Sequence, residues 1–181
     1  LAKRCEIANG IPGLNLFVSL HSNAAGSSGW SSASGWSEYI YGPGGDREKA
    51  AQDILAAVKA AGITVRSTPI VYDPGLYVLK HTVAPAVLLE QGFHTNQGDV
   101  ANLKDAAYRQ RLAEAEAKGI LTYLGIPWKE DTANTDFERA IQWVRENGIM
   151  LGNTDGDMML DQPVTRKQFA VMLYRYHEKF G

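Results

Sequence analysis

Two polar residues end apolar segments that have the length and composition of buried strands. His21 follows residues 14–20, and Glu90 follows residues 84–89. An imidazole is a common zinc ligand, and a carboxylate beside a metal ion suits general-base catalysis. Each residue alone also has a structural explanation. A histidine at a strand end is more often a hydrogen-bonded structural residue, and such a glutamate can cap a helix or carry a solvated charge.

The elements around these residues indicate how they would be positioned. Segments 14–20 and 84–89 are apolar on both faces, which is typical of a parallel sheet covered by helices. Helical patterns occupy the intervening and following chain, so the sequence predicts an α/β fold with a largely parallel sheet flanked by helices. Ligands bind such sheets outside the carboxyl ends of the strands, where His21 and Glu90 could converge.

The boundaries of three further elements can also be predicted. We expect Asp46 to cap a helix that stops at Gly62, and residues 63–66 to form a short β-branched strand. A long helix should open at Asp99 and run to about residue 123. These helices would cover the sheet.

The composition of the chain bears on nucleic-acid binding, membrane insertion and disulfide formation. The formal net charge is −2, so no electrostatic argument favours nucleic acid. The longest apolar runs have the length of core strands and are too short for a membrane span. The single cysteine, Cys5, excludes a disulfide within the chain.

The periodic pattern changes after residue 125, which predicts two domains. Residues 1–125 carry the α/β pattern, 126–134 read as a linker, and 135–181 predict a small all-α module. In that module Thr165 and Gln168 fit a capping box at the start of the last helix.

Several motifs in collinear order carry a family resemblance across residues 1–125. Residues 17–24 read Phe-Val-Ser-Leu-His-Ser-Asn-Ala, and residues 85–93 read Pro-Ala-Val-Leu-Leu-Glu-Gln-Gly-Phe. These stretches resemble the two signatures of the zinc-dependent N-acetylmuramoyl-L-alanine amidases of the amidase_3 family. The same family pattern is matched at five further places: Arg4, residues 7–9, residues 76–80, Thr82 and Asn96.

This resemblance implies an enzyme that hydrolyses the amide between muramic acid and L-alanine in peptidoglycan. It implies that His21 binds Zn²⁺, that Glu90 is the catalytic carboxylate, and that Asn23 steadies His21 or the following loop. The implied setting is the extracellular cell wall, as a bacterial autolysin, or a phage lysin released at lysis.

One part of the family pattern has no counterpart in this sequence. The family's first zinc histidine, in a glycine-rich motif, and its glutamate ligand both lie upstream of the matched motifs. His81, His94 and His177 do not occupy matching positions, and His94 is expected to be a loop residue. We therefore expect an N-terminally truncated portion that alone binds zinc weakly and hydrolyses nothing. The rival hypothesis is a catalytically incompetent wall-binding or interaction protein that retains the amidase fold.

The C-terminal segment is similar to a single S-layer homology module. Residues 135–180 follow the order of such a repeat, which would bind a secondary cell-wall polymer. Arg166 is the candidate contact for an anionic polymer because its guanidinium suits such groups. Trp143 is a weaker candidate, since its place near an apolar stripe favours a core position. A single copy could instead pack on the amidase-like domain or mediate association with another copy of the chain.

Overall fold

A four-stranded sheet lies at the centre of the first of two units. The computed structural model describes residues 1–26, 29–129, 133–154 and 156–181. The sheet contains β1 (Phe17–Asn23), β2 (Trp36–Ile40), β3 (Val65–Tyr72) and β4 (Ala86–Phe93), in the order β1-β4-β2-β3. β1 runs parallel to β4 and β2 runs parallel to β3, whereas β2 and β4 are antiparallel. The predicted α/β class with a largely parallel sheet is confirmed, with one antiparallel pairing at its centre.

Helices cover both faces of this sheet. They are α1 (Ala2–Asn9), α2 (Gly45–Ala60), α3 (Tyr77–His81), α4 (Gln97–Lys104) and α5 (Ala106–Leu124). On one face Ile54 of α2 and Leu112 of α5 pack with the strand residues Trp36 and Leu89. On the other face Cys5 of α1 and Val78 and Leu79 of α3 pack with Leu88. Burial of these two apolar layers is the main stabilising contribution to the unit.

The helices α2 and α5 approach each other closely at Gly119. A Cβ atom at this position would lie 2.9 Å from the carbonyl oxygen of Asp53 and would overlap the backbone of Ile54. Only glycine fits such an approach, because a contact this short to backbone atoms cannot be relieved by a side-chain movement.

Three predicted boundaries were wrong. The cap at Asp46 was wrong because α2 begins at Gly45, with Gly44 as its N-cap. The single helix from Asp99 is interrupted at Asp105, whose side chain accepts a hydrogen bond from the Tyr108 N–H at 3.0 Å and caps α5. The short strand 63–66 is instead β3, which continues to Tyr72.

In its described residues the second unit, Lys129–Gly181, contains α6 (Ala133–Glu146) and α7 (Arg166–Phe180). The boundary between the units falls within the predicted linker, of which residues 130–132 lie outside the described part of the chain. The capping box of Thr165 and Gln168 at the start of α7 is confirmed. Within the described ranges, every helix is too short or too polar to span a lipid bilayer.

Candidate active site

His21 and Glu90 are direct neighbours in the sheet. The parallel register of β1 and β4 pairs His21 with Glu90, at the carboxyl ends of both strands. Adjacent strands are about 4.8 Å apart, and paired residues project from the same face. The pairing of Ser37 with Glu90 extends this face onto β2. The structure therefore brings the two candidate residues together at one edge of the sheet.

Glu90 has an incompletely partnered carboxyl group. Its Oε2 atom is buried and has no hydrogen-bond partner among the described residues. Burial raises the pKa of Glu90 above its ordinary value, and the nearby charge of His94 opposes this rise. A half-buried carboxyl group with a free acceptor atom can take a proton from a bound water or hold a cation.

His21 is held by its own strand. Its Nε2 atom lies 2.8 Å from the hydroxyl oxygen of Ser19, a buried residue two positions earlier on the same face of β1. This contact fixes the ring orientation and leaves Nδ1 for another partner. Ser19 was not singled out from the sequence. The signal that could have identified it is its spacing of two residues from His21, which places both side chains on the same face of a strand.

Asn23 holds the chain where β1 ends. The register of β1 and β4 shifts between His21 and Asn23, as at a β-bulge. The Asn23 side chain accepts from the Ala24 N–H at 2.8 Å and donates to the Tyr39 hydroxyl at 3.4 Å. Among the described residues it forms no hydrogen bond with His21. The Asn23 side chain thus contacts the first residue after β1.

His94 lies beside the site, in the turn that follows β4, which confirms the prediction that it is a loop residue. It follows β4, and its N–H donates to the Asn23 carbonyl oxygen at 2.9 Å. Its Nδ1 atom lies 3.1 Å from the Ser22 hydroxyl oxygen and 3.2 Å from the Ser22 carbonyl oxygen. A carbonyl oxygen can only accept, so Nδ1 carries a proton and donates it to Ser22.

The opposite face of the sheet holds a second set of carboxyl groups. Glu38 of β2 is fully buried, and neither of its carboxyl oxygens has a hydrogen-bond partner among the described residues. Burial raises the pKa of Glu38 to about 9, and the charge of Glu116 raises it further. Glu116 accepts from Trp36 Nε1 at 2.9 Å and from Gln91 Nε2 at 2.7 Å. This pair was not predicted, since neither glutamate follows an apolar segment.

The residue types at the site suit zinc, but their number is small. Imidazole and carboxylate are common zinc ligands, and the free Glu90 Oε2 could accept such a partner. A catalytic zinc site generally has three protein ligands. In the part of the chain that the structure describes, no group of three His, Cys, Asp or Glu side chains could hold a metal ion. His21 and Glu90 thus match part of a zinc site.

Of the two candidates in the second unit, Arg166 lies at the start of α7 and Trp143 of α6 packs against its end. Arg166 is exposed at its first position. Trp143 of α6 is 43% exposed and stacks on Phe180, with ring centroids 5.4 Å apart. Arg166 and Phe180 are fourteen residues apart, or about 21 Å along the helix axis. Arg166 and Trp143 therefore do not share one compact site.

Comparisons with known proteins identify the family of this chain. A family model described as Amidase_3, N-acetylmuramoyl-L-alanine amidase, matches residues 1–122. The chain is 31% identical over 109 residues to the amidase LytC of Bacillus subtilis (60% of this chain, 21% of LytC). It is 31% identical over 122 residues to CwlM of Bacillus licheniformis (66% of this chain, 44% of CwlM). The chain thus spans less than half the length of these two relatives.

A solved structure has a similar fold. The catalytic domain of the amidase CwlV from Bacillus (Paenibacillus) polymyxa var. colistinus superposes with a TM-score of 0.60 at 31% identity. The alignment covers 70% of this chain and 66% of that domain. Because the family match spans well over half of the 181 residues, the chain belongs to the Amidase_3 family of N-acetylmuramoyl-L-alanine amidases.

Proposed function

We propose that the protein carrying this chain cleaves the amide bond between N-acetylmuramic acid and L-alanine in peptidoglycan, by zinc-assisted hydrolysis at the bacterial cell wall. The observation that supports this most directly is the pairing of His21 with Glu90 at the carboxyl ends of parallel strands. Family membership supplies the bond and the polymer, and this pairing supplies residues that can do the chemistry.

His21 would be one zinc ligand in this proposal, through the ring nitrogen that Ser19 leaves free. Bound zinc would polarise the amide carbonyl and lower the pKa of a water molecule. Glu90 would accept a proton from the attacking water and return it to the leaving nitrogen of L-alanine. Its raised pKa suits this shuttle, because the carboxyl group must both accept and release a proton.

Two side chains cannot complete this zinc site, so the proposal requires further ligands besides His21 and Glu90. The chain alone should then bind zinc weakly and show no hydrolysis. Isothermal titration of the 181-residue chain with zinc tests this proposal. Tight one-to-one binding would contradict it and would call for ligands that we have not identified.

The second unit is proposed to hold the protein at the wall, as a single S-layer homology-like module that binds a secondary polymer. The support is the exposed guanidinium of Arg166 at the start of α7 and the partly exposed indole of Trp143. A pull-down with purified wall polymer should retain the unmodified chain and release Arg166→Ala. The host could be a bacterium that makes an autolysin or a phage that makes a lysin.

A second function has its own support. A wall-binding or interaction protein without catalysis needs only the fold, and the described residues hold no group of three metal-binding side chains. Clearing of wall suspensions by the complete protein separates the two proposals. The amidase should clear them, and should lose this activity with a chelator and with Glu90→Ala. A complete protein that binds walls without clearing them supports the non-catalytic function.

A further inference from the structure

The loop between β1 and β2 is anchored to the turn that follows β4. The Ser31 N–H donates to the Thr95 carbonyl oxygen at 2.7 Å, and Asn96 Nδ2 donates to the Ser31 carbonyl oxygen at 3.0 Å. Nearer β1, the Ala25 N–H donates to the Thr95 hydroxyl at 3.0 Å. Three hydrogen bonds thus hold parts of this loop against the strand end that carries Glu90.

Asp99 fixes the far end of the same loop. Its Oδ2 atom accepts from the Gly35 N–H at 2.9 Å and from the Phe93 N–H at 2.8 Å. Gly92 makes room for this carboxylate. Its φ is +125°, and a Cβ atom there would lie 3.2 Å from Asp99 Oδ2. One acidic side chain therefore joins the loop end to the last residue of β4.

Trp30 stands on this anchored loop with its indole in solvent. It is 62% exposed, whereas Trp36, six residues later, is 1% exposed and part of the core. A single exposed aromatic residue is common on protein surfaces and alone indicates nothing. Trp30 differs because Ser31 beside it is bonded on both its N–H and its carbonyl group. Loops that bind ligands are typically held in this way by a rigid scaffold.

We propose that Trp30 binds the glycan strand of the substrate, its indole face lying against a pyranose ring near the sugar that bears the amide. This inference rests on the proposed function, because that function places a polysaccharide at this edge of the sheet. The C–H bonds on a sugar face carry partial positive charge and complement the negative face of an aromatic ring. An indole also has only two side-chain torsions to immobilise, so its entropic cost on binding is small.

Binding of peptide-free glycan strands to the chain tests this proposal without any catalytic step. Trp30→Ala should weaken binding about tenfold, which corresponds to roughly 1.4 kcal/mol for one aromatic contact. Trp30→Phe should retain most of the affinity because it keeps a ring. Tyr41→Ala is the matched control. Tyr41 is 39% exposed in the same unit, directly after β2, whose antiparallel course to β4 places it at the opposite edge of the sheet.

The outcomes separate this proposal from the assignment of activity. Unchanged affinity in Trp30→Ala, equal losses in Trp30→Ala and Tyr41→Ala, or no glycan binding by the unmodified chain would each overturn the glycan contact. Hydrolysis is measured separately, as the release of free L-alanine amino groups from intact peptidoglycan by the complete protein. A Trp30-dependent glycan affinity without hydrolysis would support this contact and count against the amidase proposal.

Discussion

On one face of the sheet, Glu90 stands half-buried at a strand end beside His21. On the other face, Glu38 lies under α5 with no exposed surface and with Glu116 as its neighbouring charge. Both glutamates have buried carboxyl oxygens without hydrogen-bond partners among the described residues, and burial raises the pKa of both. They differ in access to solvent and in the group that faces them.

The comparison shows that a perturbed pKa does not locate a site by itself. The pKa of Glu38, about 9, stands far above its ordinary 4.5, yet its side chain is fully buried and no substrate can reach it. Glu90 combines a raised pKa with partial exposure and an imidazole neighbour, and a general base beside a metal ligand needs all three. Variants on each face should therefore fail in different ways.

The largest expected effect is on catalysis by Glu90. Glu90→Gln removes the proposed proton carrier but keeps the size of the side chain, so hydrolysis by the complete, zinc-loaded protein should fall by about 10²–10⁴-fold. Release of amino groups from purified peptidoglycan measures this loss. Glu38→Gln is the matched control, with activity expected near that of the parent. Equal losses in the two variants would remove the distinction between the faces.

The next effect is on the stability of the first unit, where α2 and α5 pack on the face of the sheet that carries Glu38. Gly119→Ala places a methyl group against the backbone of Ile54, so α2 and α5 must separate. We expect the free energy of unfolding to fall by about 3 kcal/mol, at the upper end for overpacking. Urea denaturation measures it, with the exposed Gln110→Ala on α5 as the control expected within about 0.5 kcal/mol. A neutral Gly119→Ala would mean that the helices are less closely packed than described.

The two strands that carry the site were predictable because their pattern is local: His21 and Glu90 each follow an apolar run of strand length. Their ends were not predicted, since β1 continues to Asn23 and β4 to Phe93 through polar residues. The order of the strands was not predictable in this way. The antiparallel pairing of β2 with β4 depends on contacts between residues about fifty positions apart, which no local pattern records.

The interruptions and partners that the sequence analysis missed have equally physical reasons. Asp105 breaks the predicted long helix because its side chain satisfies the Tyr108 N–H, and an internal cap within a helical pattern resembles any exposed acidic residue. His94 reaches the site through a bulge near Gly92, and the bulge changes the alternation on which a prediction would rely. Glu38 and Glu116 meet only through packing of α5 on the sheet.

The buried pair of Glu38 and Glu116 should make the stability of the fold depend on pH. The pKa of Glu38 is about 9 in the folded chain and near 4.5 when exposed, so the folded chain retains a proton that the unfolded chain releases between these values. This contribution to stability is complete below about pH 4.5 and is lost as the pH rises toward 9. Glu38→Gln should make the fall in the free energy of unfolding with pH less steep, by up to about 1.4 kcal/mol per pH unit. Chemical denaturation at several pH values measures both slopes, and parallel slopes would contradict a buried, protonated Glu38.

The smallest expected effect separates two serines of β1. Ser19 touches the ring of His21 at 2.8 Å, whereas Ser22 touches the ring of His94 at 3.1 Å. If Ser19 orients the zinc ligand, Ser19→Ala should lower the zinc affinity of the complete protein by about tenfold, as is usual for a residue that supports a metal ligand. Ser22→Ala should leave that affinity unchanged, because its partner is not a proposed ligand. Zinc titration of both variants decides the matter. If Ser22→Ala lowers the affinity as much as Ser19→Ala, His94 takes part in holding the metal and the ligand assignment has to include it.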